Sequence, residues 1–62
     1  MIALAKQHNV WVRVFDDRNH QLFDRPGELV GYTSETVSIR QGHTIYVVDE
    51  RNHIKFTRQV TA

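Results

Sequence analysis

Four histidines and seven carboxylates are the groups of this 62-residue chain best suited to chemistry, and two of the histidines are placed alike. His20 follows Asp16-Asp17-Arg18-Asn19, and His53 follows Asp49-Glu50-Arg51-Asn52 thirty-three positions later. A histidine with a carboxylate four residues before it, written twice, supplies donor types that zinc or nickel accepts. The same residues are ordinary loop formers, because Asp and Asn side chains bond the nearby backbone. No motif ties ligands across two such distant stretches, so loop formation is the stronger reading and no metal or other cofactor is expected. Of the other two histidines, His43 adjoins Gly42 as a rim residue and His8 lies near the N-terminus.

The signs of catalysis are equally thin. Asp16-Asp17 and Asp49-Glu50 are adjacent carboxylates, but a solvated loop entrance does not raise a carboxyl toward a working acid or base. Ser34 and Ser38 stand alone, and the three glycines are scattered as turn formers. There is no G-x-S-x-G elbow, no H-E-x-x-H and no phosphate-binding glycine loop. So short a chain also leaves little room for a deep pocket. The chain reads as a non-enzyme.

Those loops sit inside a longer repeat. Val12–Arg25 is VRVFDDRNHQLFDR and Ile45–Arg58 is IYVVDERNHIKFTR. Val14, Asp16, Arg18, Asn19, His20, Phe23 and Arg25 recur as Val47, Asp49, Arg51, Asn52, His53, Phe56 and Arg58, seven identities in fourteen ungapped positions. Both stretches run from alternating apolar residues through a polar loop to a second apolar run, which describes a β-hairpin. Arg18 and Arg51, at the loop tips, are placed to pair with Asp16, Asp17, Asp49 or Glu50. An exposed pair of that kind contributes only about 0–1 kcal/mol.

The elements that must carry these loops are strands. From Asn9 onward the apolar residues recur at every second position and are rich in β-branched and aromatic types. The pattern predicts six antiparallel strands, at about 9–16, 20–25, 28–33, 36–40, 43–49 and 53–58. Turn chemistry sets the register. Four-residue loops at 17–20 and 50–53 pair Val14 with Phe23 and Val47 with Phe56, with positive φ at Asn19 or His20 and at Asn52 or His53. Pro26-Gly27 suits a type II turn that pairs Phe23 with Val30. Ser34-Glu35 pairs Tyr32 with Val37, and a three-residue turn at Arg40–Gly42 pairs Val37 with Ile45.

One face then collects Val10, Val12, Val14, Phe23, Val30, Tyr32, Val37, Ile39, Ile45, Val47, Ile54 and Phe56. The fold class is all-β: a small six-stranded meander curled into a barrel or bent sheet, with two similar hairpins related by an internal repeat. Residues 1–8 form an N-terminal arm or edge strand, and 9–62 a single small domain.

The opposite face is the candidate interface or binding surface. It carries Trp11, Phe15, Leu22, Leu29, Tyr46 and Val48 beside Arg13 and Arg40, far more apolar surface than water favours. The arm or the curl of the sheet could cover it. A subunit interface uses the same residue types as anchors, and so does a stacking platform for single-stranded nucleic acid.

Composition narrows the partners. Eight basic against seven acidic residues give little non-specific attraction for phosphates, so nucleic acid is the weaker alternative to a protein partner. A domain of about 60 residues buries only about 60% of its unfolded surface. Without cysteine no disulfide can staple it, which leaves self-association as the expected support. Met1–Ala5 is too short an apolar run for a secretory signal, and nothing approaches a membrane span. The expected molecule is a cytoplasmic homo-oligomer without membrane contact.

Overall fold

A computed structural model describes residues 1–60; the last two positions of the expected 9–62 domain lie outside them. Seven antiparallel strands form two sheets, and no helix occurs among the described residues. The three-stranded sheet has the order β1 (Leu4–His8), β2 (Trp11–Phe15), β3 (Gln21–Pro26). The four-stranded sheet has the order β4 (Glu28–Tyr32), β5 (Thr36–Gln41), β6 (Thr44–Asp49), β7 (Ile54–Gln59). The six-strand expectation is one short, and no ladder among the described residues closes the sheets into a barrel.

The additional strand is β1. Asn9, at φ 56°, turns the chain so that His8 pairs with Trp11, Lys6 with Arg13 and Leu4 with Phe15. Asn tolerates this left-handed conformation better than most side chains. Ahead of β1, the Ile2 amide donates to Ser34 O at 2.7 Å and the Ala3 amide to Phe15 O at 2.9 Å. The N-terminal residues thus bond both sheets, and Ile2 and Ala5 enter the core.

The corner between sheets lies at Gly27, and it corrects the expected type II hairpin. The Gly27 amide donates to Val10 O at 2.7 Å, which prolongs the β2–β3 ladder instead of folding β4 back onto β3. Phe23 and Val30 therefore do not pair. Gly27 holds φ 137°, and a Cβ there would lie 2.6 Å from Ile39 Cγ2 and 2.8 Å from Arg40 O. Only glycine admits that approach. The Gln7 side chain braces the bend: Nε2 donates to Gly27 O at 2.9 Å, and Oε1 accepts from the Leu29 amide at 2.6 Å. Gln41 Nε2 adds a bond to Pro26 O at 2.6 Å.

Two turns in the second sheet decide which side chains face inward. At Ser34-Glu35 the expected pair Tyr32–Val37 forms, and Thr33 Oγ1 accepts from the Thr36 amide at 3.1 Å. Between β5 and β6 a two-residue turn, Gly42-His43, replaces the expected three-residue one, with Gly42 at φ 61°. Val37 meets Val48 and not Ile45, a shift of three places. An odd shift sends every side chain of β6 to the other face. Tyr46 and Val48 consequently point inward with Ile39 and Val37, while Ile45 and Val47 take the opposite face, where Val47 is nonetheless buried as expected and Ile45 half-buried.

The buried cluster is Ile2, Ala5, Val12, Val14, Val37, Ile39 and Val48, with Phe23, Leu29 and Tyr46 packed against it. Burial of each Val or Ile contributes about 1.5–3 kcal/mol. Of the expected core, Val10, Val30, Tyr32, Ile54 and Phe56 are exposed. Val30 is the extra residue of a bulge between Leu29 and Gly31, which turns Leu29 toward Ile39 in its stead. Tyr32 and Ile54 lie on the two edge strands of this sheet.

Candidate functional site

The two D-[DE]-R-N-H loops adopt the same hydrogen-bond pattern. In the first, the Asp16 amide donates to His20 O at 2.9 Å and the Asn19 amide to Asp16 O at 3.2 Å. Asp16 Oδ1 accepts from the amides of Arg18 at 2.9 Å and His20 at 2.8 Å. In the second, Asp49 Oδ1 accepts from Arg51 and His53 at the same distances. Asn19 at φ 63° and Asn52 at φ 66° take the positive-φ positions, which decides between Asn and His.

These are three-residue loops and not the expected four-residue ones. The Val14–Phe23 and Val47–Phe56 pairs survive because each hairpin also carries one bulged residue, Leu22 or Lys55, and the two departures cancel. Arg18 and Arg51 contribute backbone N–H groups. Their guanidinium groups form no ion pair among the described residues, contrary to expectation.

Both aspartates are held below their ordinary value of 3.8, first by the amides of His20 and His53 and then by those of Arg18 and Arg51. The shift keeps both carboxylates ionised, as their acceptor role in the loops requires. His20 Nδ1 stands 3.9 Å from Asp16 Oδ2. Among the described residues no three His, Asp or Glu side chains converge as metal ligands would.

Every register pair of β2–β3 recurs in β6–β7: Val12–Arg25 as Ile45–Arg58, Arg13–Asp24 as Tyr46–Thr57, Phe15–Gln21 as Val48–Ile54. The surroundings do not recur. Val12, Val14 and Phe23 lie on or against the core, whereas all of β7 is exposed and Phe56 is 52% accessible. Arg25 also links the hairpins. Arg25 Nε donates to Asn52 Oδ1 at 2.6 Å, bringing β3 to the loop of the second hairpin.

The structure divides the expected binding face among four places. Trp11, Arg13 and Phe15 share the outer face of the three-stranded sheet, beside Leu4, Lys6 and His8 of β1. Lys6 Nζ lies 5.4 Å from the Phe15 ring centre, a cation–π distance. Arg13 Nε is buried and has no partner among the described residues. Leu22 is the exposed bulge residue of the first hairpin. Leu29, Tyr46 and Val48 belong to the interior, for the register reasons above. Arg40 lies opposite Ile45 on the outer face of the four-stranded sheet, its Nε donating to Gly42 O at 3.0 Å.

Lys6 and His8 were not foreseen as members of a face, since the strand that presents them has almost no apolar alternation. Two shallow hollows, of about 250 and about 380 Å³, open on the surface and sit at the small end of ligand sites. Among the described residues no helix is long and apolar enough to cross a membrane. No family model matches the chain, and no curated protein or solved structure is significantly similar to it.

Proposed function

We propose that this chain is a small non-enzymatic β module that works by self-association, its two hairpins descending from one duplicated unit. The observation that carries the reading is β7. From Ile54 to Gln59 every residue of this strand is exposed, including Ile54 and Phe56, and its outer edge offers unpaired backbone groups. An exposed apolar edge strand is a template for another chain, and a core this small gains most from added burial. Sedimentation velocity from about 10 µM to 1 mM tests it. The reading expects species larger than one chain within that range; a monomer throughout overturns it.

A second reading has its own support. Trp11 and Phe15 beside Lys6, His8 and Arg13 make a face of aromatic and basic groups on one sheet, the composition of a single-strand platform. Asp24, opposite Arg13, is the acid nearest that row in the ladder. Quenching of Trp11 fluorescence by mixed-sequence oligonucleotides, relieved by salt, is its signature. Unchanged fluorescence at low salt ends it.

A further inference from the structure

Matched hairpins make it possible to ask which contacts of the first lack a counterpart in the second. On β2–β3, the face bearing Val12, Val14, Phe23 and Arg25 is covered within the chain, and Arg25 is met by Asn52 through Nε at 2.6 Å and Nη2 to the backbone oxygen at 3.4 Å. The same face of β6–β7 bears Ile45, Val47, Phe56 and Arg58. The odd register at Gly42 turns it away from the main core cluster. Its β6 half is covered, Val47 buried and Ile45 half-buried, while its β7 half, Phe56 and Arg58, is open. Phe56 stays 52% accessible, and the Arg58 guanidinium has no hydrogen bond or ion pair among the described residues.

The residue matched to Asn52 is Asn19, in the loop of the first hairpin, with the same positive φ and the same hydrogen bonds around it. Within one chain Arg58 has no such loop beside it. A neighbouring molecule would supply one. We infer that the face formed by Ile45, Val47, Phe56 and Arg58 docks a second copy of this chain, whose Asn19 loop stands on Arg58 as Asn52 stands on Arg25.

Charge agrees with this occupant. The strand β7 carries Lys55 and Arg58 and no acid, while farther along the sheet Arg40 stands opposite Glu28. The incoming loop carries Asp16 and Asp17 against Arg18, just as the in-chain loop meets Arg25 with Asp49 and Glu50 against Arg51. Two copies of the β7 face meeting each other would instead oppose arginines, which is costly. The contact is heterologous, a loop on one molecule and a face on the next, so assembly proceeds head to tail into a ring or an open string. This inference rests on the self-association reading and names its geometry.

A mixing experiment separates the two. One variant, Phe56→Asp with Arg58→Glu, removes the face. The other, Asn19→Gly with Asp17→Lys, removes the loop's recognition groups while glycine keeps the positive φ. Wild type is expected to assemble. Each variant alone is expected to sediment as a monomer, its association weakened at least about tenfold. An equimolar mixture should form a dimer and stop there, because it holds one intact face and one intact loop; that recovery also shows both variants folded. If the loop variant assembles like wild type, or the mixture stays monomeric, the loop-on-face contact is wrong although self-association stands. A wild type that never assembles removes both.

Discussion

Phe23 and Phe56 hold matched places, opposite Val14 and Val47 in hairpins that share register, bulge and loop. One packs against the core and the other is half in water. Short-range sequence therefore accounts for the hairpin but not for what covers it. Coverage is decided at two glycines outside both hairpins. Gly27 bends the chain so that the first hairpin's apolar face joins the common core, and the turn at Gly42 sends the matching face of the second away from it.

The largest effect should come from erasing that difference. Gly27→Ala adds a Cβ 2.6 Å from Ile39 Cγ2 in a left-handed backbone, a strain on the order of 3–5 kcal/mol. That rivals the whole stability of a domain this size, about 3–5 kcal/mol. Thermal unfolding by circular dichroism should lose its cooperative transition; a wild-type midpoint would show that the corner is not under constraint. Next comes the matched pair. Phe23→Ala should cost about 2–3 kcal/mol in urea unfolding, and Phe56→Ala less than about 1 kcal/mol in dilute solution. Equal losses would mean that the two faces are not covered differently. Gln7→Ala removes the bonds that brace the bend and should cost about 1–2 kcal/mol, with β4 amides exchanging faster.

The smallest effect belongs to the loops, where the hairpins should behave alike. Asp16 and Asp49 have lowered pKa values in the folded chain, mainly through the His20 and His53 amides. A depressed carboxyl contributes stability above its unfolded pKa and loses it as pH falls through the folded one. Stability should thus decline below about pH 4. Asp16→Asn and Asp49→Asn should each flatten that decline by a similar amount. A slope altered by one substitution alone would show that the loops are unlike.

Much of this was legible in the residues. Period-two alternation reports strands wherever one side is wet, and the repeated Asp and Asn positions report the loops through their local backbone bonds. The pair Tyr32–Val37 followed from the Ser34-Glu35 turn, whereas Val14–Phe23 and Val47–Phe56 were reached because a loop read one residue too long and an unread bulge cancel. Strand β1 was left open between an arm and an edge strand, because Leu4-Ala5-Lys6-Gln7-His8 has only small Ala5 as its buried residue; pairing with β2, not pattern, makes it the edge strand. Pro26-Gly27 has the local chemistry of a tight turn, while the reason for glycine is a contact with Ile39 twelve positions away. Residues Ile45, Tyr46, Val47 and Val48 are apolar at odd and even positions alike, so β6 could face either way until the Gly42 turn was known. The binding face assembled from Trp11 to Val48 inherited that ambiguity, which is why only Trp11, Arg13 and Phe15 stayed together.

Placing fluorine on Phe23 and Phe56 and following both resonances on dilution tests most directly whether the second hairpin is finished by another molecule. The Phe56 signal should move with protein concentration between about 10 µM and 1 mM as its face is covered, and the Phe23 signal should stay where the chain's own core holds it. A Phe56 signal that remains at the solvent-exposed position up to the highest concentration, indifferent to dilution, would contradict the account.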